Sequence, residues 1–406
     1  MPTSIRISFD RPEASYFAGE TITGRVHLHL DTPKNVRAVK IDFQGGARVR
    51  WTEHHSTGTG KNRRTSTRTY YASETYFSSR GFLVGNDVGE ITLTPGDYVY
   101  PFQCELPNAL PSSFEGAHGH VRYTVKAVVD RPWKFDHSAR AAFTVVSPLD
   151  LNMYPQAKEP IICEQSKYFC CLWCRSGPLT LSVRVPNGGY VPGQDIPLQI
   201  QVDNASTTEV YGVRGALNQI VRFHATTRSK ATTQRVMDLV FSSKVEGHSS
   251  KVYLQQLRVP PLPPSFLTFC RIIDVDYQLT VSALVGGAHI NLTIQAPILI
   301  GTFPLVVSKP LNLNLPGPSD PRGGAEPPPY PGGPLPSAPP PPGLPSPDLP
   351  PPSYEECLFK GNSIMDTEDG DNQYTMGHQA FTPRYPVWNL IGWNVPHSAE
   401  DVKNEN

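Results

Sequence analysis

The chain has 406 residues, longer than one ordinary domain, and its 43 prolines are about twice average usage while only 38% of it is hydrophobic, so part of it lies outside any packed core. Its 36 basic and 36 acidic residues balance, which excludes a strongly basic nucleic-acid binder and a strongly acidic solvating protein. The balance is uneven along the chain: residues 310–406 carry twelve Asp or Glu against four Lys or Arg, a net of −8, which leaves +8 on residues 1–309.

The opening residues have no apolar stretch of the secretory kind, and Pro2 excludes N-myristoylation, which requires glycine there. The longest apolar run, 296–307, is interrupted by Pro297, Gly301 and Pro304 and is too short to span a bilayer. Seven scattered cysteines fit a reducing compartment better than a disulfide framework, so the sequons at Asn204 and Asn291 read as chance matches. The expectation is a cytoplasmic protein, recruited to the plasma membrane and endosomes, that visits anionic membranes or phosphorylated tails, against the simpler reading that the charge split serves solubility.

Up to about Lys309 the chain is built of short, alternating, β-branched segments separated by turn residues: Ile5–Phe9, Ile22–Leu30, Val36–Phe43 and Val121–Val129 are examples. That period of two predicts half-buried antiparallel strands and an all-β protein, and no dozen residues keep a capped helical period. The pattern also repeats. Tyr16-Phe-Ala-Gly19-Glu20-Thr-Ile22 recurs as Tyr190-Val-Pro-Gly193-Gln194-Asp-Ile196, and the proline-rich entry ending Ser112-Ser113-Phe114 before Val121-Arg-Tyr123 recurs as Pro264-Ser265-Phe266 before Val275-Asp-Tyr277. Two tandem sandwiches of one topology account for this, each long enough to bury its own core.

This order of motifs, followed by Ser147-Pro148-Leu149-Asp150-Leu151-Asn152, resembles the arrestin fold and specifically the α-arrestins, the arrestin-domain-containing adaptors. The resemblance implies an N-terminal arrestin-like, immunoglobulin-like sandwich over 1–148, an interdomain connection over 149–177, a C-terminal sandwich over 178–307 and a disordered proline-rich, acidic tail over 308–406. It also implies recognition of transmembrane cargo or receptors, with peripheral membrane contact.

Sites for catalysis are scarce. No nucleophile elbow, His-Glu-x-x-His, phosphate-binding lysine loop or dinucleotide fingerprint is present, so no enzyme activity, metal or cofactor is expected. His54-His55 and His118-x-His120 lack cysteine or carboxylate partners at ligand spacing and read as strand and loop histidines. Cys170, Cys171 and Cys174 lack the second pair a zinc ribbon needs; among Phe169, Leu172 and Trp173 they are candidates for lipidation, or plain structural thiols. Lys61, Arg63, Arg64 and Arg68 form a candidate anion-binding cluster in a polar hairpin that otherwise reads as solvated.

The tail is more informative. Nineteen prolines fall between Pro310 and Pro352, a composition that favours extended polyproline II. Within it, Pro327-Pro328-Pro329-Tyr330 and Pro351-Pro352-Ser353-Tyr354 both match Pro-Pro-x-Tyr, whose two prolines and tyrosine ring fit the aromatic groove of a WW domain. Both tyrosines of the 310–354 stretch complete the motif, and they stand 24 residues apart, within reach of tandem WW domains. Pro336-Ser337-Ala338-Pro339 resembles the tetrapeptide read by the UEV domain of ESCRT-I, and Thr382-Pro383-Arg384-Tyr385 is a degenerate third tyrosine motif. The expected function is a trafficking adaptor that links cargo to a WW-domain HECT-type ubiquitin ligase for endocytosis and endosomal sorting. The alternatives are an ESCRT-I recruiter driving vesicle budding and a receptor-docking scaffold whose tail is incidental.

Overall fold

The computed structural model describes residues 4–57, 64–133, 135–171, 174–286, 289–306, 349–361, 363–365, 371, 374–377 and 380–390. The first sandwich comprises β1 (Ser4–Phe9), β2 (Ser15–Phe17), β3 (Thr21–Leu30), β4 (Lys34–Val36), β5 (Ala38–Thr57), β6 (Arg64–Gly85), β7 (Ile91–Leu93), β8 (Gly96–Glu105), β9 (Phe114–Glu115), β10 (Gly119–Asp130) and β11 (His137–Val146). One sheet runs β1-β3-β8 and the other β2-β11-β10-β5-β6, with β9 added beside β10. The segment Val36–Phe43, read from sequence as one strand, divides at Arg37: β4 pairs with β7, while β5 joins β6 and β10. Asp130 enforces the break, its carbonyl accepting the Arg37 amide at 2.9 Å and its carboxylate the guanidinium at 2.6 Å.

The second sandwich comprises β12 (Ile161–Cys171), β13 (Cys174–Val185), β14 (Gly189–Tyr190), β15 (Asp195–Asn204), β16 (Val210–His224), β17 (Ser229–Phe241), β18 (Ser249–Arg258), β19 (Ile273–Val285) and β20 (Leu292–Ile300). Its sheets run β12-β13-β15-β18 and β14-β20-β19-β16-β17. Apart from the extra edge strand β12, this is the strand order of the first sandwich, including a parallel pair: β2 beside β11 becomes β14 beside β20. β19 buries every second residue along its length, the alternation expected of a strand with one core face.

The duplication extends to single atoms. Gly19 and Gly193 both sit at φ +88°, a left-handed turn that favours glycine. The side chain after each accepts from the amide three residues back, Glu20 from Phe17 at 2.8 Å and Gln194 from Val191 at 3.2 Å. The Tyr123 hydroxyl donates to the Pro111 carbonyl at 2.6 Å, as Tyr277 does to Pro263 at 2.7 Å. Ser113 and Ser265 each accept a strand amide, from Val145 and Ile300. The repeated proline-rich entry therefore supplies carbonyl and hydroxyl acceptors to the buried tyrosine and the neighbouring strand.

The connection is shorter than the 149–177 expected from sequence, because β12 pairs with β13 and so belongs to the second sandwich. Asp150 caps a 3-10 turn, Leu151–Met153, by accepting the Asn152 amide at 2.9 Å, and a single helical turn, Pro155–Lys158, follows. Asn152 then donates to the Pro304 carbonyl and accepts the Val306 amide, both at 2.9 Å, which ties the connection to the end of the second sandwich.

The sandwiches share one continuous apolar core. Phe223 of the second is wholly buried against His118 and Phe114 of the first, with ring centroids 5.5 and 6.5 Å away. A polar margin includes Arg228–Glu53 at 3.0 Å and the Arg271 amide donating to Glu74 at 3.1 Å.

Part of the tail contributes strands to the body. Residues 307–348, the proline-rich part, lie outside the described residues, whereas the described residues between 349 and 390 pack on the body. They form β21 (Ser353–Glu356), β22 (Thr375–Met376) and β23 (Arg384–Val387); β21 pairs antiparallel with β23, and β22 lies parallel to β11. The physical reason is composition: after Pro352 the chain supplies Tyr354, Phe359, Ile364, Met376, Tyr385, Val387 and Trp388, enough apolar surface to offset ordering.

Candidate partner-binding site

Of the two full Pro-Pro-x-Tyr motifs, Pro351-Pro352-Ser353-Tyr354 lies within the described residues. Tyr330 with Pro327 and Pro328, and the tetrapeptide Pro336-Ser337-Ala338-Pro339, lie outside them. The second motif enters β21, where Ser353 is opposite Val387, Tyr354 opposite Pro386 and Glu355 opposite Tyr385. Pro386 has no N–H to give the ladder, which confines β23 to an edge position.

Tyr354 is half-buried against a small apolar cluster at the seam of the two sandwiches. Phe17, Val146 and Leu149 reach it from the first sandwich and the connection, and Val191, Leu299, Phe303 and Leu305 from the second. Trp388 completes the cluster from the tail itself. Desolvation there raises the Tyr354 phenol well above its usual range, with Glu20 adding to the shift and Arg11 opposing it. Burial likewise pushes the neighbouring Cys357 thiol up to about 11, a protonated and unreactive state at neutral pH.

Three anchors hold this hairpin. Trp388 is buried, its indole N–H donating to the Thr302 carbonyl at 2.9 Å and its amide to the Pro192 carbonyl at 2.9 Å. Tyr385 is buried on the other side of the seam, its hydroxyl donating to the Ser113 carbonyl at 2.7 Å, so the degenerate third tyrosine motif serves as packing. Arg384 donates its amide to Thr144 Oγ1 at 3.0 Å and pairs with Glu356 across the hairpin at 3.0 Å.

A fourth anchor lies between the strands of the hairpin. The fully buried Asp371 carboxylate meets Lys126 at 2.7 Å and Arg140 at 3.1 Å, both projecting from the β10–β11 face. Thr375 follows, its hydroxyl 3.0 Å from that of Ser138, and Tyr374 stacks on Phe135 with centroids 5.9 Å apart. A buried carboxylate between two cations is tolerated only when paired, and removing it would take this shared partner from both cations under the tail.

The remaining sequence candidates are placed as follows. Cys171 pairs with Cys174 in register at the tip of the β12–β13 hairpin, with Cys170 one step behind; their side chains lie outside the described residues. Lys61 and Arg63 also lie outside them, Arg64 begins β6, and Arg68 is exposed opposite Glu53. His118 is an interface residue between Trp51 and Phe223, and its burial, with Lys230 nearby, lowers its pKa. His54 is hydrogen-bonded to Thr67. Among the described residues no group of three or more His, Cys, Asp or Glu could hold a metal ion, and no helix is long and apolar enough to cross a membrane.

Two duplicated sandwiches joined through a capped connection define an arrestin-like protein. Residues 5–152 match the family model for the arrestin (or S-antigen) N-terminal domain, and residues 175–305 match that for the C-terminal domain. The chain is 35% identical over 313 residues to arrestin domain-containing protein 17 of Caenorhabditis elegans, covering 73% of this chain and 70% of that protein. It is 32% identical over 298 residues to human arrestin domain-containing protein 4, with 73% and 70% covered. Against rat arrestin domain-containing protein 1 it is 31% identical over 325 residues, with 79% and 68% covered. The chain belongs to the arrestin-domain-containing proteins, the α-arrestins, a family of adaptors rather than enzymes.

Sequence reasoning missed Asp371 and Trp388, and read Tyr385 as the ring of a degenerate tyrosine motif rather than as an anchor. Asp371 reads as one acid among many in the tail. The run Arg384-Tyr385-Pro386-Val387-Trp388 does carry a signal, since it places two large aromatics beside an aliphatic residue.

Proposed function

We propose that this α-arrestin is a trafficking adaptor: its sandwiches engage membrane cargo, and its tail recruits a WW-domain HECT-type ubiquitin ligase. Recruitment promotes cargo ubiquitylation, endocytosis and endosomal sorting, and the protein acts in the cytoplasm, at the plasma membrane and at endosomes. The observation that carries this reading is the pair of Pro-Pro-x-Tyr motifs, at Tyr330 and Tyr354, on a body of the adaptor family. No bond is made or broken by this chain in that role; ligase and cargo are raised to high effective concentration on one molecule. Pull-down of the full chain by isolated WW domains tests it: Tyr330→Ala with Tyr354→Ala abolishes capture, and retained capture by the double variant overturns the reading.

Pro336-Ser337-Ala338-Pro339, close after the first tyrosine motif, favours a second reading in which the tail also recruits ESCRT-I through its UEV domain. Pro339→Ala then removes UEV binding and leaves WW capture intact.

A further inference from the structure

Resting on the adaptor reading, we propose that the two tyrosine motifs are unequal, and that Pro351-Pro352-Ser353-Tyr354 is kept from WW domains by the chain's own residues 384–388. A WW domain needs the tyrosine ring in its own pocket and the two prolines as a polyproline II face. Here the ring of Tyr354 lies against the seam cluster and its backbone is a β-strand paired with β23. One ring occupies one pocket at a time, so WW binding requires β21 to leave the body.

The clamp spans both sandwiches. Tyr385 is fastened to Ser113 of the first, Trp388 to Pro192 and Thr302 of the second, and Asp371 to Lys126 and Arg140 on β10 and β11. A shift of one sandwich against the other breaks one set of anchors, which couples exposure of Tyr354 to the state of the body. Ligase recruitment through this motif is thereby conditional, and apparent affinity falls in proportion to the open fraction.

Titration of one isolated WW domain tests this on the full chain carrying Tyr330→Ala, which leaves the second motif alone, and on a free peptide of residues 346–360. The chain is expected to bind at least about tenfold more weakly than the peptide, corresponding to an open fraction of about one tenth or less. Trp388→Ala on the Tyr330→Ala background should recover most of that factor. Should Trp388→Ala fail to fold, Asp371→Asn replaces a tail residue without touching either sandwich's apolar core and should recover affinity in the same direction. Hydrogen exchange supplies a second reading: saturation with the WW domain should raise exchange at residues 385, 387 and 388. Equal affinity of chain and peptide, or WW saturation without change at those amides, overturns the masking while the adaptor reading stands. A peptide that binds no WW domain of the ligase class overturns the masking, while the adaptor reading then stands or falls on capture of the full chain through Tyr330.

Discussion

Tyr277 shows how much a single buried hydroxyl carries in this fold. It donates to the Pro263 carbonyl at 2.7 Å and accepts from the Gln219 amide at 2.9 Å, all within the core of the second sandwich. Its counterpart Tyr123 donates to Pro111 and is flanked by Phe77 and Phe143. Replacing either tyrosine by phenylalanine strands a buried carbonyl, a cost of about 1–3 kcal/mol. Tyr277→Phe also orphans the Gln219 amide, so it should be the more costly of the two, as urea denaturation of both variants would measure. His118 adds a pH dependence. Burial, with Lys230 nearby, holds its pKa below the ordinary 6.5, so the folded chain prefers the neutral ring. Its contribution is complete above about pH 6.5 and is lost as pH falls from there through the folded-state value. His118→Phe keeps an aromatic ring between Trp51 and Phe223 and cannot charge. The drop in urea midpoint between about pH 7 and about pH 5 should therefore be smaller in the variant than in the parent.

At the scale of the element, the paired turns before β3 and β15 are the same device with different surroundings. A Cβ on Gly19 would lie 2.2 Å from Asn108 Oδ1, a side-chain atom able to move, whereas one on Gly193 would lie 2.3 Å from the Trp388 carbonyl oxygen. Both alanine variants incur about 1–2 kcal/mol for the left-handed backbone. Gly193→Ala should in addition loosen β23, seen as faster amide exchange at residues 385, 387 and 388, while Gly19→Ala leaves those amides protected. Equal exchange in the two variants would separate the tail from this turn. The elements themselves were legible in sequence wherever one face is buried: β1, β3 and β10 fall on the alternating runs Ile5–Phe9, Ile22–Leu30 and Val121–Val129. The break at Arg37 was not legible, because Asp130, which enforces it, is 93 residues away.

On the scale of the whole molecule, the continuous core makes the two sandwiches thermodynamically one body. Phe223 is its keystone, filling the space between His118 and Phe114 across the interface. Phe223→Ala should cost about 3–5 kcal/mol and split a single calorimetric transition into two, since the interface loses more than either separate core. A single unshifted transition in the variant would show that the sandwiches unfold together for another reason.

The fold class, the duplication and the three tail motifs followed from the sequence alone, because each is encoded locally: a period of two along a strand, a glycine at a left-handed turn, prolines beside a tyrosine. The seat of the second motif was decided by tertiary structure. Whether Tyr354 faces solvent or a cluster depends on Phe17, Val191, Phe303 and Trp388 meeting at one seam, and on Asp371 finding two cations more than two hundred residues away. Such contacts leave no spacing along the chain, because burial is a property of surfaces brought together by folding rather than of any segment that supplies them.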